Sequence, residues 1–217
     1  VVNQYKKNKK IVVVVSAMSG ATDRLVNLTN QISEKRNLEE YDVVVSSGEQ
    51  VTAGLLAMAI SDLSVKSRSL MGWQIPILTD DTHYKAIIEN ISNTNIFTLL
   101  NNEEIVVIPG FQGVTSENRI STLGRGGSDT SAVAIAASIK AERCDIYTDV
   151  DGVYTADPRM VPKAKKLKKI SYEEMLEMAS QGAKVLQTLF QNRLLAYLFC
   201  SAGIPSTNER LHPSPNN

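Results

Sequence analysis

Between residues 122 and 131 the chain reads Thr122-Leu-Gly-Arg-Gly-Gly-Ser-Asp-Thr-Ser131, and an Ala-rich segment, Ala132–Ile139, follows directly. Three glycines in four positions, Gly124, Gly126 and Gly127, let the backbone reach positive φ and let a ligand approach closely. The segment behind them holds good helix formers and no breaker, so a helix is expected there, with Ser128 or Asp129 as its N-cap. A glycine loop entering a helix N-terminus presents N–H groups and the positive end of the helix dipole, which suits an anion. Arg125 adds a planar fork matched to a carboxylate or a phosphate. A plain loop–helix connection would use the glycines alone. An arginine and an aspartate inside the same run favour a ligand loop.

A second candidate is Thr148-Asp149 followed by Asp151-Gly152. It reads either as a tight turn or as a nucleotide pocket, with Thr148 and Asp149 as polar contacts, Tyr154 near base or ribose and Arg159 on phosphate. The residues alone leave both open. Gly182 is a natural helix C-cap and Lys184, two residues on, reads as a surface lysine. No Gly-x-x-x-x-Gly-Lys-Ser/Thr occurs, which excludes a P-loop, and the glycines of 124–127 do not fit the dinucleotide pattern Gly-x-Gly-x-x-Gly. Metal and nucleophile motifs (His-Glu-x-x-His, Cys-x-x-Cys, Gly-x-Ser-x-Gly) are absent as well. His83 and His212 are isolated and read as surface or turn residues. The lysine run 163–169 has no interleaved aromatics and reads as a solvated face.

The elements that must position these loops follow from periodicity. Ile11–Val15 is a continuous β-branched run, as expected of a strand covered on both faces. It empties into Ser16-Ala-Met-Ser-Gly-Ala-Thr-Asp23, then a helical pattern at Leu25, Leu28 and Ile32. Asp42–Val45 reads as a second strand, followed by a helix from Val51 to Leu63. Ile75–Leu78 is a short strand, Ile87–Leu100 a helix, Glu104–Pro109 a buried strand and Asp145–Thr148 another. Ser171-Tyr-Glu-Glu174 is a capping box heading a helix with Met175, Leu176 and Ala179 on one face. Strands alternating with helices imply an α/β fold with a largely parallel sheet and helices on both faces. In such sheets ligands sit beyond the carboxyl ends of strands, where the glycine-bearing segments would converge.

Size and composition set the bounds. At 217 residues the chain suits one large domain or two small ones. Lys+Arg and Asp+Glu both count 23, so no global field draws it to nucleic acid or a membrane surface. The apolar runs are too short to span a bilayer. Cys144 and Cys200 are far apart in sequence and form no metal or redox spacing, which points to a reducing, cytoplasmic setting. The chain opens without Met on what reads as a helix end, as a fragment would.

Seven stretches together resemble the aspartate kinases of the amino-acid kinase family: Val14-Val-Ser-Ala-Met-Ser-Gly-Ala-Thr-Asp23, Ser47-Gly-Glu-Gln50, Met71-Gly-Trp-Gln-Ile-Pro76, Gly110-Phe-Gln-Gly113, Thr122–Asp129, Thr148-Asp-Val-Asp-Gly-Val-Tyr-Thr-Ala-Asp-Pro-Arg159 and Gly182-Ala-Lys-Val-Leu186. They run in family order from about residue 11 to 188. The resemblance implies a three-layer α/β/α sandwich with a mostly parallel central sheet, ATP and Mg²⁺, and L-aspartate as acceptor in the first step toward lysine, threonine and methionine. Carried over by position, the substrate contacts fall on Ser16, Thr22, Glu49, Arg125 and Asp129. The ATP contacts fall on Thr148, Asp149, Tyr154, Arg159, Lys184 and Val185, and Lys184, Arg125 and Asp149 stand nearest the chemistry. The family's opening strand, Lys-Phe-Gly-Gly-Thr-Ser, does not occur here, and similarity stops after Thr188. Residues 1–188 are therefore expected to form an N-terminally truncated kinase domain. Residues 189–217 are expected to diverge, with an apolar helix around Leu194, Leu195, Leu198 and Phe199 and disorder after Pro205. The alternatives are an inactive remnant, or a family member acting on another carboxylate. A homo-oligomer is compatible with the sequence and not fixed by it.

Overall fold

The computed structural model describes residues 1–32, 35–124, 126–147 and 163–165, together with the backbone of 197–202. The main sheet is built on β1 (Lys10–Val15), whose last five residues are fully buried. β1 pairs in parallel with β5 (Ile105–Pro109), Val12 opposite Val106, and β5 pairs in parallel with β2 (Ser67–Ser69). On its other edge β1 meets β9 (Tyr197–Ala202) antiparallel, and β9 meets β8 (Arg143–Tyr147) antiparallel, giving the order β2-β5-β1-β9-β8. β8 therefore runs with β1, and four of the five strands share one direction.

Strand alternation sends successive β1 side chains to opposite faces. Val12 and Val14, with Val106 and Ile108, pack against Ile96, Leu99 and Leu100 of α4 (Thr94–Asn101) and Ala132, Ile135 and Ala136 of α5 (Gly127–Ser138). Ile11, Val13 and Val15, with Ile105 and Val107, pack against Ala53, Ala57 and Ile60 of α3 (Leu38–Asp62). Helices on both faces of a largely parallel sheet make this the expected α/β/α sandwich. A smaller sheet, β4-β3-β6-β7, leans on one end: Ile88–Ile91, Ile77–Thr79, Gln112–Val114 and Ile120–Thr122.

Four local expectations are corrected. Asp42–Val45 is helix, not strand: it lies inside α3, whose start is set by Asn37, its Oδ1 accepting from Glu39 N at 3.1 Å, with Glu39 and Glu40 in the first turn. A run of three valines fits either period, and the cap decides. Ile87–Leu100 is divided, because Ile88–Ile91 joins β3 as a strand and the helix starts only at Thr94. Leu198 and Phe199 belong to a strand, not a helix. The N-cap of α5 is Gly126 at φ +74°, ahead of Ser128 and Asp129. The helix expected from the pattern at Leu25, Leu28 and Ile32 is present as α2 (Ala21–Ile32), but Leu28 and Ile32 lie exposed. The capping box at 171–174, Leu194, Leu195 and the tail after Pro205 lie outside the described residues.

Contrary to the expectation that no apolar run could span a bilayer, α3 is by length and composition apolar enough to cross a membrane. Its inward face, however, carries Asp42, Ser46, Glu49 and Thr52, all buried within the fold, as in the core helix of a folded domain.

Candidate active site

The carboxyl ends of β1 and β5 lie side by side, and Gly110 N donates to Val15 O across them at 2.9 Å. Ser16 follows β1 directly and is partly exposed; Thr22 stands in the first turn of α2, also partly exposed. Between them Ala17 N donates to Glu49 Oε1 at 3.1 Å, which draws α3 onto the end of β1. Gly48 permits that approach, since a methyl group there would lie 3.0 Å from Ala17 Cβ.

The turn after β5 receives the first turn of α5 just as closely. A methyl group at Gly110 would fall 2.7 Å from Ser128 Cα, so only glycine lets the helix start here. Phe111 takes φ +67°, held by its N–H to Ser131 Oγ at 3.0 Å and by its carbonyl accepting Leu123 N at 2.9 Å. Asp129 is thereby carried to the same rim as Glu49.

Both carboxyls are buried, Glu49 4 % and Asp129 5 % exposed. Glu49 Oε2 and Asp129 Oδ1 have no hydrogen-bond partner among the described residues. Burial pushes Glu49 up from 4.5 to about 7, opposed by the N–H groups of Ala17 and of Glu49 itself. Burial likewise pushes Asp129 up to about 7, opposed by its own N–H. A buried acid with an open oxygen, raised to near neutrality, suits a cation such as an ammonium group, and this holds for each of the two. The glycine loop and the N-terminus of α5 beside them favour an anion. A small zwitterion satisfies both.

Of the residues singled out in the sequence, the structure brings Ser16, Glu49 and Asp129 to one rim, with Thr22 opening the helix that follows. Arg125, Thr148, Asp149, Tyr154, Arg159, Lys184 and Val185 lie outside the described residues. The loop 124–127 is entered from β7, a strand that the sequence reading did not place. Two contributors were missed altogether. Gln112, 1 % exposed, donates to Ser46 O at 3.2 Å and accepts from Gln50 Nε2 at 3.2 Å, tying α3 to β6. Asp42, wholly buried on α3, accepts Thr122 Oγ1 at 2.6 Å and His83 Nδ1 at 2.8 Å. His83 does stand in a turn, as expected, but its ring is largely enclosed. The missed signal is the spacing: Asp42, Ser46 and Glu49 share one helix face. No cluster of three metal-ligating side chains occurs among the described residues.

Comparison with known proteins agrees with this architecture. The model of the amino acid kinase family matches residues 1–190. An aspartokinase of Rickettsia conorii is 54 % identical over 183 residues, 83 % of this chain and 46 % of the relative. One of Pseudomonas aeruginosa is 58 % identical over 177 residues, 82 % of this chain and 43 % of the relative. Among solved structures, aspartate kinase from Synechocystis superposes with a TM-score of 0.62 at 44 % identity, over 84 % of this chain and 30 % of that one. E. coli aspartokinase III, solved with aspartate and ADP, gives 0.60 at 31 % identity, over 77 % and 39 %. The chain thus spans less than half the length of these relatives.

Proposed function

The chain belongs to the amino acid kinase family, and from that premise we propose that it carries the kinase domain of an aspartate kinase, which transfers the γ-phosphoryl group of ATP to the β-carboxylate of L-aspartate. The product is 4-phospho-L-aspartate, at the head of lysine, threonine and methionine synthesis. The observation that carries the reading is the pair Glu49 of α3 and Asp129 of α5, two enclosed acids whose open oxygens have no partner among the described residues, on helices packed at the ends of the neighbouring parallel strands β1 and β5. The identity to aspartokinases selects the acceptor.

The chemistry asks little of a base. The attacking β-carboxylate is ionised at pH 7, so the site must position it and cancel charge on the γ-phosphoryl group. Glu49 and Asp129 take the α-ammonium; as it docks, its charge favours the ionised form of each raised carboxyl, whose proton leaves to solvent. Arg125 holds the α-carboxylate as a two-pronged donor, and Ser16 and Thr22 line the approach. Lys184 and the glycine loop neutralise the transferring phosphoryl oxygens, while Thr148, Asp149, Tyr154, Arg159 and Val185 hold the nucleotide. Mg²⁺ bound with ATP supplies further charge neutralisation; it is usually held by substrate phosphates and one or two carboxylates rather than by a full protein cage.

Acceptor screening tests the reading, with ADP release and hydroxylamine trapping of the acyl phosphate as signals. L-Aspartate should be the preferred acceptor over L-glutamate and N-acetyl-L-glutamate. Arg125→Ala should raise the aspartate KM at least about tenfold, the value of a lost charge-assisted hydrogen bond, and leave the ATP KM nearly unchanged. An unchanged aspartate KM, or preference for another carboxylate, would overturn the assignment.

A further inference from the structure

We propose that Asp42 and His83 are a positioning pair that holds Thr122 and Gly124, at the entry of the glycine loop, in register with Glu49, and so sets the α-ammonium grip of the acceptor relative to that loop. The proposal rests on the acceptor reading above. Asp42 lies two helical turns before Glu49 on the same face of α3, and its side chain is completely enclosed. One oxygen, Oδ2, accepts from His83 Nδ1 at 2.8 Å, Tyr84 N at 3.0 Å and Thr122 N at 3.1 Å, and the other accepts from Thr122 Oγ1 at 2.6 Å.

Three of those donors are fixed in kind, since a backbone N–H can only donate and the hydroxyl gives its proton to the carboxylate. The imidazole therefore presents Nδ1–H to Asp42. Thr122 is the last residue of β7, and the glycine loop begins two residues later. Its carbonyl accepts Ala86 N at 2.9 Å, so the 83–86 turn holds Thr122 directly through Ala86 and indirectly through Asp42. The same turn backs the loop itself, because a Cβ on Gly124 would lie 3.3 Å from Tyr84 O. Asp42 is thus the point at which the helix carrying Glu49, the turn carrying His83 and the strand feeding the loop are joined by one carboxylate. Depriving a buried carboxylate of a donor carries the cost of an unmet hydrogen bond, so losing His83 loosens this junction while leaving Glu49 and the loop chemically intact.

The test uses the 217-residue chain and two substitutions at His83. His83→Asn keeps a donor at the Nδ1 position; His83→Leu keeps bulk and removes the donor. Trypsin cleavage after Arg125 reports on the loop independently of any ligand, with cleavage after Arg24 as the internal control. His83→Leu should speed cleavage after Arg125 about fivefold or more with Arg24 unaffected, as expected of local opening, and should weaken L-aspartate binding by about tenfold in calorimetry. His83→Asn should restore both to near wild type. Equal impairment of the two variants, or unaltered cleavage and affinity in His83→Leu, would overturn the positioning role. Should wild type bind no aspartate, the acceptor reading falls, and the cleavage rates alone still decide whether the pair locks the loop.

Discussion

At the scale of single residues the informative groups are Glu49 and Asp129, because their environment sets a pH dependence with a definite sign. Each is held near 7, above its ordinary value of 4.5 or 3.8, by burial before any other cause. The folded protein then binds more protons than the unfolded chain between about pH 4 and 7. Their contribution to stability is complete below the unfolded values and is lost as pH rises through about 7. At one unit per ~1.4 kcal/mol, Glu49 alone accounts for at most about 3 kcal/mol across that window. Without ligand, the melting temperature should fall between pH 5 and 8. Glu49→Gln should flatten the fall and melt higher than wild type at pH 8, while weakening aspartate binding. A wild-type melting temperature that rises over this range would show that the two acids are solvated or paired, and the proposed ammonium grip would be lost with them. The gain in stability with loss of binding is what distinguishes a working acid from one that merely fills space.

At the scale of elements, the glycines decide whether the site can assemble, and this part of the site was legible in advance. Gly124, Gly126 and Gly127 announced a loop against a helix, and the structure gives Gly124 and Gly126 the positive φ that the reading required. Glu49 was reached only through resemblance, because a strand was read where α3 begins. Had the Asn37 cap been weighed above the valine run, Asp42 would have fallen on the same helix face as Glu49. His83 was illegible for another reason: its partner lies 41 residues away in sequence, and one histidine in a turn carries no pattern. The Gly-Phe-Gln-Gly segment was quoted as a motif, yet its physical role emerges only from packing. A methyl group on Gly110 meets backbone of α5 at 2.7 Å, and one on Gly113 meets Ile77 O at 2.6 Å and Thr79 Cγ2 at 2.5 Å. Backbone atoms cannot step aside as a side chain can, so Gly110→Ala must shift α5 and Gly113→Ala must open the β3–β6 pair. Each should cost about 1–3 kcal/mol, a fall of several degrees in melting temperature for a chain of this size. Gly54→Ala, whose added methyl meets nothing within 4 Å, should be neutral or stabilising and serves as the control. Equal melting temperatures for Gly110→Ala and Gly54→Ala would mean that α5 does not press on the end of β5 as described.

At the scale of the whole molecule, the sheet was foreseen as largely parallel, and β2, β5, β1 and β8 share one direction. What the sequence did not reveal is how β8 joins the others. It contacts β1 only through β9, a strand drawn from a part of the chain where a helix was expected and running against both neighbours. Helix and strand were hard to separate there because the apolar run is short, and two open edges are stronger determinants than local propensity. With strands ~4.8 Å apart, β1 and β8 leave a slot ~10 Å wide that one extended segment fills. The register makes this placement testable, for Cys144 of β8 stands opposite Cys200 of β9. Directly opposed residues of an antiparallel pair have α-carbons ~4.5–5.5 Å apart, inside the ~4.4–6.8 Å span of a disulfide. Mild oxidation with diamide should therefore join the two thiols within one chain, with the loss of two hydrogens and reversal by dithiothreitol. Cys200→Ser should prevent the link. A slip of one residue would turn one cysteine to the opposite face, and oxidation would then give dimers between chains or no cross-link, which would remove β9 from its place between β1 and β8.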